Sequence, residues 1–262
     1  MKQSGNYRHL TIEIEEHLAH VTINRPPVNA LNKLLVEELA LVAKTLSAIR
    51  DVWFVVLTAV GHVFCAGADL KERNSLEEKD VLQTVKKIQN MVYAWAAIPQ
   101  PVVIGIQGSV FGGGLELALT GDIIVASETA VFGFPEVRLG VIPGAGGTQL
   151  LALLTSQSIA KKWILSAKRF SAREALEDHV INFVFSAKSF DREFSSFLAD
   201  MLSNAPLAMR QAKKSIQRSL LASLRKGMNY ESACYETIIA THDRREAIRA
   251  FLEKRSPQWQ GK

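Results

Sequence analysis

Residues 102–126 read VVIGIQGSVFGGGLELALTGDIIVA. Val102 to Ile106 is a short run without a polar residue, the pattern of a strand covered on both faces. Gly108 to Gly114 then leads into a short helical segment, Leu115 to Leu119, and Ile123 to Ala126 is a second apolar strand. Strand, glycine-rich turn, helix and strand in succession are most simply joined as parallel strands with crossover connections. The expected fold class is α/β.

The same alternation extends upstream. Trp53 to Leu57 (WFVVL) is another fully apolar strand, preceded by a helix from Asn32 whose Leu35, Leu39, Val42, Leu46 and Ile49 recur at three- and four-residue steps. Between the strands at 53 and 102, Ser75 and Glu78 have capping-box spacing, and Val81, Val85, Ile88, Val92 and Trp95 mark one helix face. Alternating polarity in residues 10–14 (LTIEI) and 19–23 (AHVTI) predicts an antiparallel hairpin at the start. Downstream of Gly140 the pattern turns helical, with one further strand at Val180 to Phe185 and capping-box pairs at Ser171/Glu174 and Asp243/Glu246. These readings divide the chain into an α/β core, residues 1–190, and a C-terminal helical region, residues 191–262.

At 262 residues and 48% hydrophobic content the chain can bury a sizeable core. Its apolar runs fall far short of the roughly 20 residues that span a bilayer. The N-terminal MKQSGNYRHL has no apolar segment of the secretory kind, so a cytoplasmic protein without a membrane partner is expected. Two cysteines, Cys65 and Cys234, with no CxxC and no histidine at ligand spacing, predict neither disulfides nor a metal site. The net charge of +5 is uneven: residues 206–262 hold 12 Lys and Arg against 5 Asp and Glu, leaving −2 for the rest. Such a terminus suits a phosphorylated ligand, nucleic acid or an ordinary solvated helical surface.

Three stretches look chemical. Phe64-Cys65-Ala66-Gly67-Ala68-Asp69-Leu70 follows a buried strand with residues small enough for a ligand to approach the backbone. Gly112-Gly113-Gly114 opens a helix at a cost of up to about 1 kcal/mol per glycine relative to alanine, and amides at a helix start can bind an anion or a developing oxyanion. Phosphate-loop patterns are absent. Glu116, between Leu115 and Leu117, and Glu136, in a Pro- and Gly-punctuated apolar stretch, are carboxylates in surroundings that carboxylates usually avoid. One such glutamate is more often a capping or ion-pair partner; two beside glycine-rich turns favour acid-base work.

Five segments, NRPPVNALN (24–32), FCAGADLKE (64–72), GSVFGGGLELAL (108–119), FGFPEVRLGVIPGAGGTQ (132–149) and THDRREAIRAFLEKR (241–255), resemble the enoyl-CoA hydratase/isomerase (crotonase) superfamily in order and over nearly the whole length. The resemblance implies a spiral of ββα units with the helical region serving trimerisation and active-site cover, in a homotrimer or dimer of trimers. It implies an acyl-CoA thioester as substrate and no separate cofactor, coenzyme A being part of the substrate. It puts the oxyanion-hole amides at Ala68 and Gly113, and the catalytic pair at Glu116 and Glu136, which favours hydration of a 2-enoyl-CoA to a 3-hydroxyacyl-CoA in fatty-acid or branched-chain acid catabolism. Coenzyme A contacts are implied at Arg25, Val28, Ala30, Ala66, Asp69, Leu70, Phe251 and Lys254.

The chain departs from the family where Leu150 to Leu154 (LLALL) replaces the usual Arg and Pro-Arg pair. Phe111 and Phe134 stand where relatives often carry Leu or Gln, so a short or reshaped acyl pocket is expected. Cys65 is expected to be an apolar filler and His62 a surface or turn residue. The rival reactions are double-bond isomerisation and other acyl-CoA lyase chemistry on the same fold. A more remote rival is RNA binding, which only the basic C-terminus suggests and which lacks aromatic-basic interleaving.

Overall fold

The computed structural model describes residues 7–74 and 76–262; Ser75, half of the expected capping pair with Glu78, lies outside the described residues, as does the initial MKQSGN. Strands β1 (Leu10–Glu15) and β2 (Leu18–Ile23) form the expected antiparallel hairpin. Helix α1 (Lys33–Ala48) begins where the Asn32 side chain accepts from the Leu35 N–H, and it buries Leu35, Leu39, Val42 and Leu46. Next come β3 (Phe54–Ala59), β4 (Val63–Cys65), α2 (Leu70–Asn74) and α3 (Glu78–Ala96). The third unit is β5 (Val102–Ile106), β6 (Ser109–Phe111) and α4 (Gly113–Ala118). The fourth is β7 (Ile123–Ser127), β8 (Val131–Gly133) and a single 3-10 turn, Glu136–Leu139. The remainder comprises α5 (Gly147–Leu154), α6 (Gln157–Ser166), β9 (Phe170–Ser171), α7 (Ala172–Glu177), β10 (Phe183–Phe185), α8 (Phe190–Leu202), α9 (Pro206–Ile239) and α10 (His242–Leu252).

The long strands make one six-stranded sheet in the order β1-β2-β3-β5-β7-β10, parallel from β2 onward. Both faces are covered, which explains the unbroken apolar runs. Phe54, Val56, Val103 and Val125 face Phe190, Phe194 and Leu198 of α8, while Val55, Leu57 and Ile104 join the main core with Leu39, Trp95 and Leu115. The C-terminal helices share that core, since Leu224 and Met228 of α9 belong to it. Lys213 of α9 is buried and ties the helix to the sheet, donating to the Asp122 carboxylate at 2.5 Å and the Gln100 carbonyl at 2.8 Å. Among the described residues no helix is long and apolar enough to cross a membrane.

Periodicity missed a second sheet. β4, β6, β8 and β9 form it in that order, and after each of β3, β5 and β7 the chain runs straight on into its next strand. That repeat of long strand, short strand and helix or turn is the expected ββα spiral. β4, β6 and β8 pair in parallel, Cys65 opposite Val110 beyond an irregularity at Val63 and Phe111 opposite Gly133, while β9 runs antiparallel to β8, so the loops leaving β4, β6 and β8 emerge side by side. Those loops are the three chemical stretches of the sequence.

One local expectation fails. Ser171 and Glu174 form the reciprocal capping box, but Asp243 and Glu246 do not, because α10 is capped two residues earlier with Thr241 accepting from the Arg244 N–H. Asp243 instead accepts from the Gln260 and Gly261 amides, and Glu246 from Arg255 and the Gln258 amide, so both carboxylates hold the C-terminal tail against α10.

Candidate active site

The adjacent loops after β4 and β6 present two main-chain amides to one cleft. Leu31 bridges to Ala68 in parallel fashion, its N–H donating to the Gly67 carbonyl and its carbonyl accepting from the Asp69 N–H. A parallel bridge uses the peptide groups flanking its central residue, so the Ala68 N–H is left over. Gly113 is the first residue of α4, where a helix has no carbonyl of its own to offer the amide. A Cβ placed on Gly113 would stand 3.8 Å from the Ala68 nitrogen, which brings both amides to one spot, as an oxyanion hole requires.

Two of the glycines are required by this closeness. Gly112 has φ +51°, and a Cβ there would meet Glu136 Oε1 at 2.6 Å; Gly114 lies against Cys65, whose Cβ a methyl group would approach to 2.6 Å. The Cys65 side chain fills the space behind the amides, and burial pushes its thiol up to about 12, so it is a packing residue as expected. His62 is exposed at the start of β4.

Glu116 projects from α4 and is 3% exposed; its Oε1 accepts from the Ala145 N–H at 2.7 Å and the Gly147 N–H at 2.8 Å. Glu136 heads the 3-10 turn, and its Oε2 is buried without a protein partner. Burial, and then the charges of Glu231 and Glu136, hold the Glu116 carboxyl well above the usual carboxylate range against the pull of its two amide bonds. Burial likewise pushes Glu136 up to about 7, although the Arg73 guanidinium draws it back down. With Glu231 buried on the other side of the 145–148 loop, three carboxyls lie close enough in the interior that they do not all ionise near neutrality, and they titrate as a unit. The amide bonds favour negative charge on Glu116; the bare Oε2 of Glu136 is free to carry a proton or to meet a water.

The third carboxyl, Glu231, was not foreseen. It sits on α9, 2% exposed, and accepts from the Gly146 N–H at 2.7 Å, the Thr148 N–H at 3.2 Å and the Thr148 hydroxyl. Successive amides from 145 to 148 thus point alternately at Glu116 and Glu231, which clamp the loop from opposite sides. Burial pushes Glu231 up to about 7 despite those bonds. A signal existed in the sequence: Leu224, Met228, Glu231 and Tyr235 follow one another at helical spacing on the buried stripe of α9.

The cleft has a volume of about 770 Å³. Of the expected contacts, Arg25, Val28, Ala30, Ala66, Ala68, Asp69, Leu70, Gly113, Glu116, Glu136 and Phe251 all line it. Arg25 donates to Asp69 Oδ2 at 2.7 Å and to the Ala30 carbonyl at 2.9 Å. Burial alone would raise the Asp69 carboxyl, but Arg25 and the Lys71 and Glu72 amides hold it below its ordinary value.

Two of the expected residues lie outside the cleft as one chain forms it. Lys254 does not line the cleft: α10 ends at Leu252, and Lys254 is an exposed residue at φ +54° in the turn beyond. Arg255 lines the cleft in its stead, ion-paired to Glu246 at 2.5 Å. The lining cations otherwise come from outside the basic C-terminus: Arg25, Lys71, Arg73, Arg138, Lys168 and Arg169. Phe134, expected at the acyl pocket, is fully buried behind the Gly147 loop, whereas Phe111 does line the cleft with the Arg169 guanidinium 5.5 Å from its ring.

Those two phenylalanines therefore respond differently to truncation. Phe111→Ala opens the cleft and shifts kcat/KM toward longer enoyl-CoAs, roughly tenfold for two added methylenes, since each buried CH₂ is worth about 0.8 kcal/mol. Phe134→Ala leaves a core cavity and lowers stability by about 3–5 kcal/mol in denaturant unfolding. Unaltered chain-length preference in Phe111→Ala would refute its place at the acyl end.

Residues 13–262 match the family model described as enoyl-CoA hydratase/isomerase. The chain is 42% identical over 248 residues to YngF of Bacillus subtilis (strain 168), whose name carries the same family designation, with 94% of this chain and 95% of YngF covered. It is 34% identical to the 2,3-dehydroadipyl-CoA hydratase of Escherichia coli (strain K12), with 97% and 99% covered. Among solved structures, an enoyl-CoA hydratase from Bacillus anthracis superposes with a TM-score of 0.78 at 36% identity, covering 97% of this chain and all of that one.

Proposed function

The chain belongs to the enoyl-CoA hydratase/isomerase family, and from that premise we propose that it hydrates a 2-enoyl-CoA to the 3-hydroxyacyl-CoA. The observation that carries this reading is the convergence of two buried carboxyls, Glu116 and Glu136, on the cleft that also receives the Ala68 and Gly113 amides. The two N–H groups take the thioester oxygen and stabilise the enolate-like charge that grows on it as Cβ is attacked. Glu116, whose charged form two amides stabilise against the cost of burial, takes a proton from a water lying between the two carboxyls; the oxygen bonds to Cβ, and Glu136 delivers a proton to Cα. Water is thereby added across the double bond with no net change in the protein once the carboxyls exchange their proton.

Arg25, Val28, Ala30, Ala66, Asp69 and Leu70 form the coenzyme A side of the cleft in this reading, and lining cations other than Arg73 answer the charge of its phosphates. A homotrimer or dimer of trimers belongs to the same reading. It is supported by the exposed Leu207, Ile216 and Tyr230 on α9 and Phe251 on α10, apolar groups that a neighbouring subunit would cover.

The deciding experiment mixes the purified chain with crotonyl-CoA, follows loss of the conjugated-thioester absorbance, and identifies the product. 3-Hydroxybutyryl-CoA is expected. A product of unchanged mass with its double bond moved to the 3-position would replace hydration by isomerisation.

A further inference from the structure

We infer that Arg73 is a specificity residue that binds a carboxylate at the far end of the acyl chain, making the preferred substrate an enoyl-CoA derived from a dicarboxylic acid; this rests on the hydratase reading. Arg73 lies on α2, the helix that leaves the Ala68 loop, and it lines the cleft together with Glu116, Glu136, Val85, Val141 and Ile142. Its guanidinium donates to the Tyr235 hydroxyl and stands 5.6 Å from that ring's centroid. Tyr235 is itself 1% exposed in a cluster with Val81, Val85, Val141 and Ile239.

Among the described residues, no carboxylate lies within ion-pair distance of Arg73, in contrast to Arg25, Arg255 and Lys213. A guanidinium beside Val85, Val141 and Ile142 loses hydration, and an anion in contact with it offsets that loss. Burial, and then the nearby Arg244 guanidinium, draw its pKa down to about 10 against the pull of the Glu136 and Glu116 charges. Arg244, held in place through its bond to the Ile239 carbonyl, leaves its own Nε unpartnered and adds to the positive potential. A methyl-ended acyl chain would cover this cation with hydrocarbon and leave it no anion in contact, only the charges of Glu136 and Glu116 beyond ion-pair distance. A terminal carboxylate would accept from its fork of N–H donors, the geometry that guanidinium offers best.

The competing explanation is that Arg73 only tunes Glu136, whose carboxyl its charge lowers. Calorimetry with two unreactive thioesters of equal carbon count, glutaryl-CoA and valeryl-CoA, separates the two. The wild-type chain is expected to bind glutaryl-CoA roughly 10- to 100-fold more tightly. Arg73→Met should erase that preference and Arg73→Lys retain part of it. In turnover, Arg73→Met should lower the kcat/KM ratio of glutaconyl-CoA to 2-pentenoyl-CoA by a similar factor. Equal binding of the two thioesters by the wild type, or a preference that survives Arg73→Met, would overturn the proposal. So would an equal fall of both substrates in Arg73→Met with a displaced pH profile, the mark of an effect through Glu136. If neither enoyl-CoA is hydrated while the binding preference is present and lost in Arg73→Met, the carboxylate site stands and the hydratase reading falls.

Discussion

Glu136→Gln and Glu116→Gln each lower kcat for crotonyl-CoA by roughly 10³-fold or more, since each removes a proton-transfer group worth about 10²–10⁴. The fold survives both. A glutamine oxygen at 116 can still accept from the Ala145 and Gly147 amides, and at 136 the buried Oε2 has no partner to lose. Wild-type activity should be bell-shaped around neutrality, because at low pH every carboxyl in the trio is protonated and no base remains, while at high pH no acid remains. Stability changes in the opposite sense to activity in Glu136→Gln. Burial raises the Glu136 carboxyl from 4.5 to about 7, so the folded protein keeps a proton that the unfolded chain releases in that window. Native stability therefore falls as pH rises through it, and the full penalty is present above the folded value. Glutamine has no proton to lose, so above that pH Glu136→Gln should unfold at higher denaturant than wild type, by on the order of 1–3 kcal/mol. The difference should vanish in acid. A variant that keeps a tenth of wild-type activity, or that is no more stable than wild type in alkali, would show that Glu136 is not the buried acid described above.

Glu231→Gln is expected to lower kcat/KM by roughly 10- to 100-fold without the residue touching substrate. Both of its oxygens accept from the Gly146 to Thr148 segment, and an amide there sets N–H against N–H on one side, at a cost of about 1–3 kcal/mol. The loop that loosens is the one whose other two amides hold Glu116. A general disturbance of folding would give the same loss of rate, so the pH profile is the discriminating measurement. The Glu231 charge is one of the causes that raise Glu116, hence its removal lets Glu116 ionise at lower pH and moves the acid limb downward. Glu231→Asp, which retains the charge, should leave that limb near its wild-type position. An unmoved limb in Glu231→Gln would reduce the residue to a packing role.

The site was unevenly legible. Glu116, Glu136 and the Gly113 turn stand out because each lies in a stretch whose composition is costly without a function, glycines opening a helix and carboxyls among apolar residues, whereas the Ala68 amide is picked out only by the family resemblance. Glu231 and Arg73 carry no such mark, since glutamate and arginine on helices are ordinary until the partner surface is known. Tyr235, on the same buried stripe of α9 as Glu231, brings the Arg73 guanidinium to the cleft wall. Lys254 lies outside the cleft of its own chain because α10 ends at Leu252 and the chain turns back to seat Arg255 on Glu246.

By itself, the sequence determined the hairpin, the strands of the large sheet and the helix faces between them, because long strands and helices repeat their polarity often enough to be read. Together with the family resemblance it also singled out the four backbone and side-chain groups, Ala68, Gly113, Glu116 and Glu136, that the proposed hydration uses. Only the tertiary structure decided how those groups meet. The strands of the small sheet are two or three residues long, too short to carry a period, and their register alone brings the loops after β4, β6 and β8 together. The same is true of the buried carboxyl trio, whose titration depends on distances through a dry interior between residues far apart in the chain.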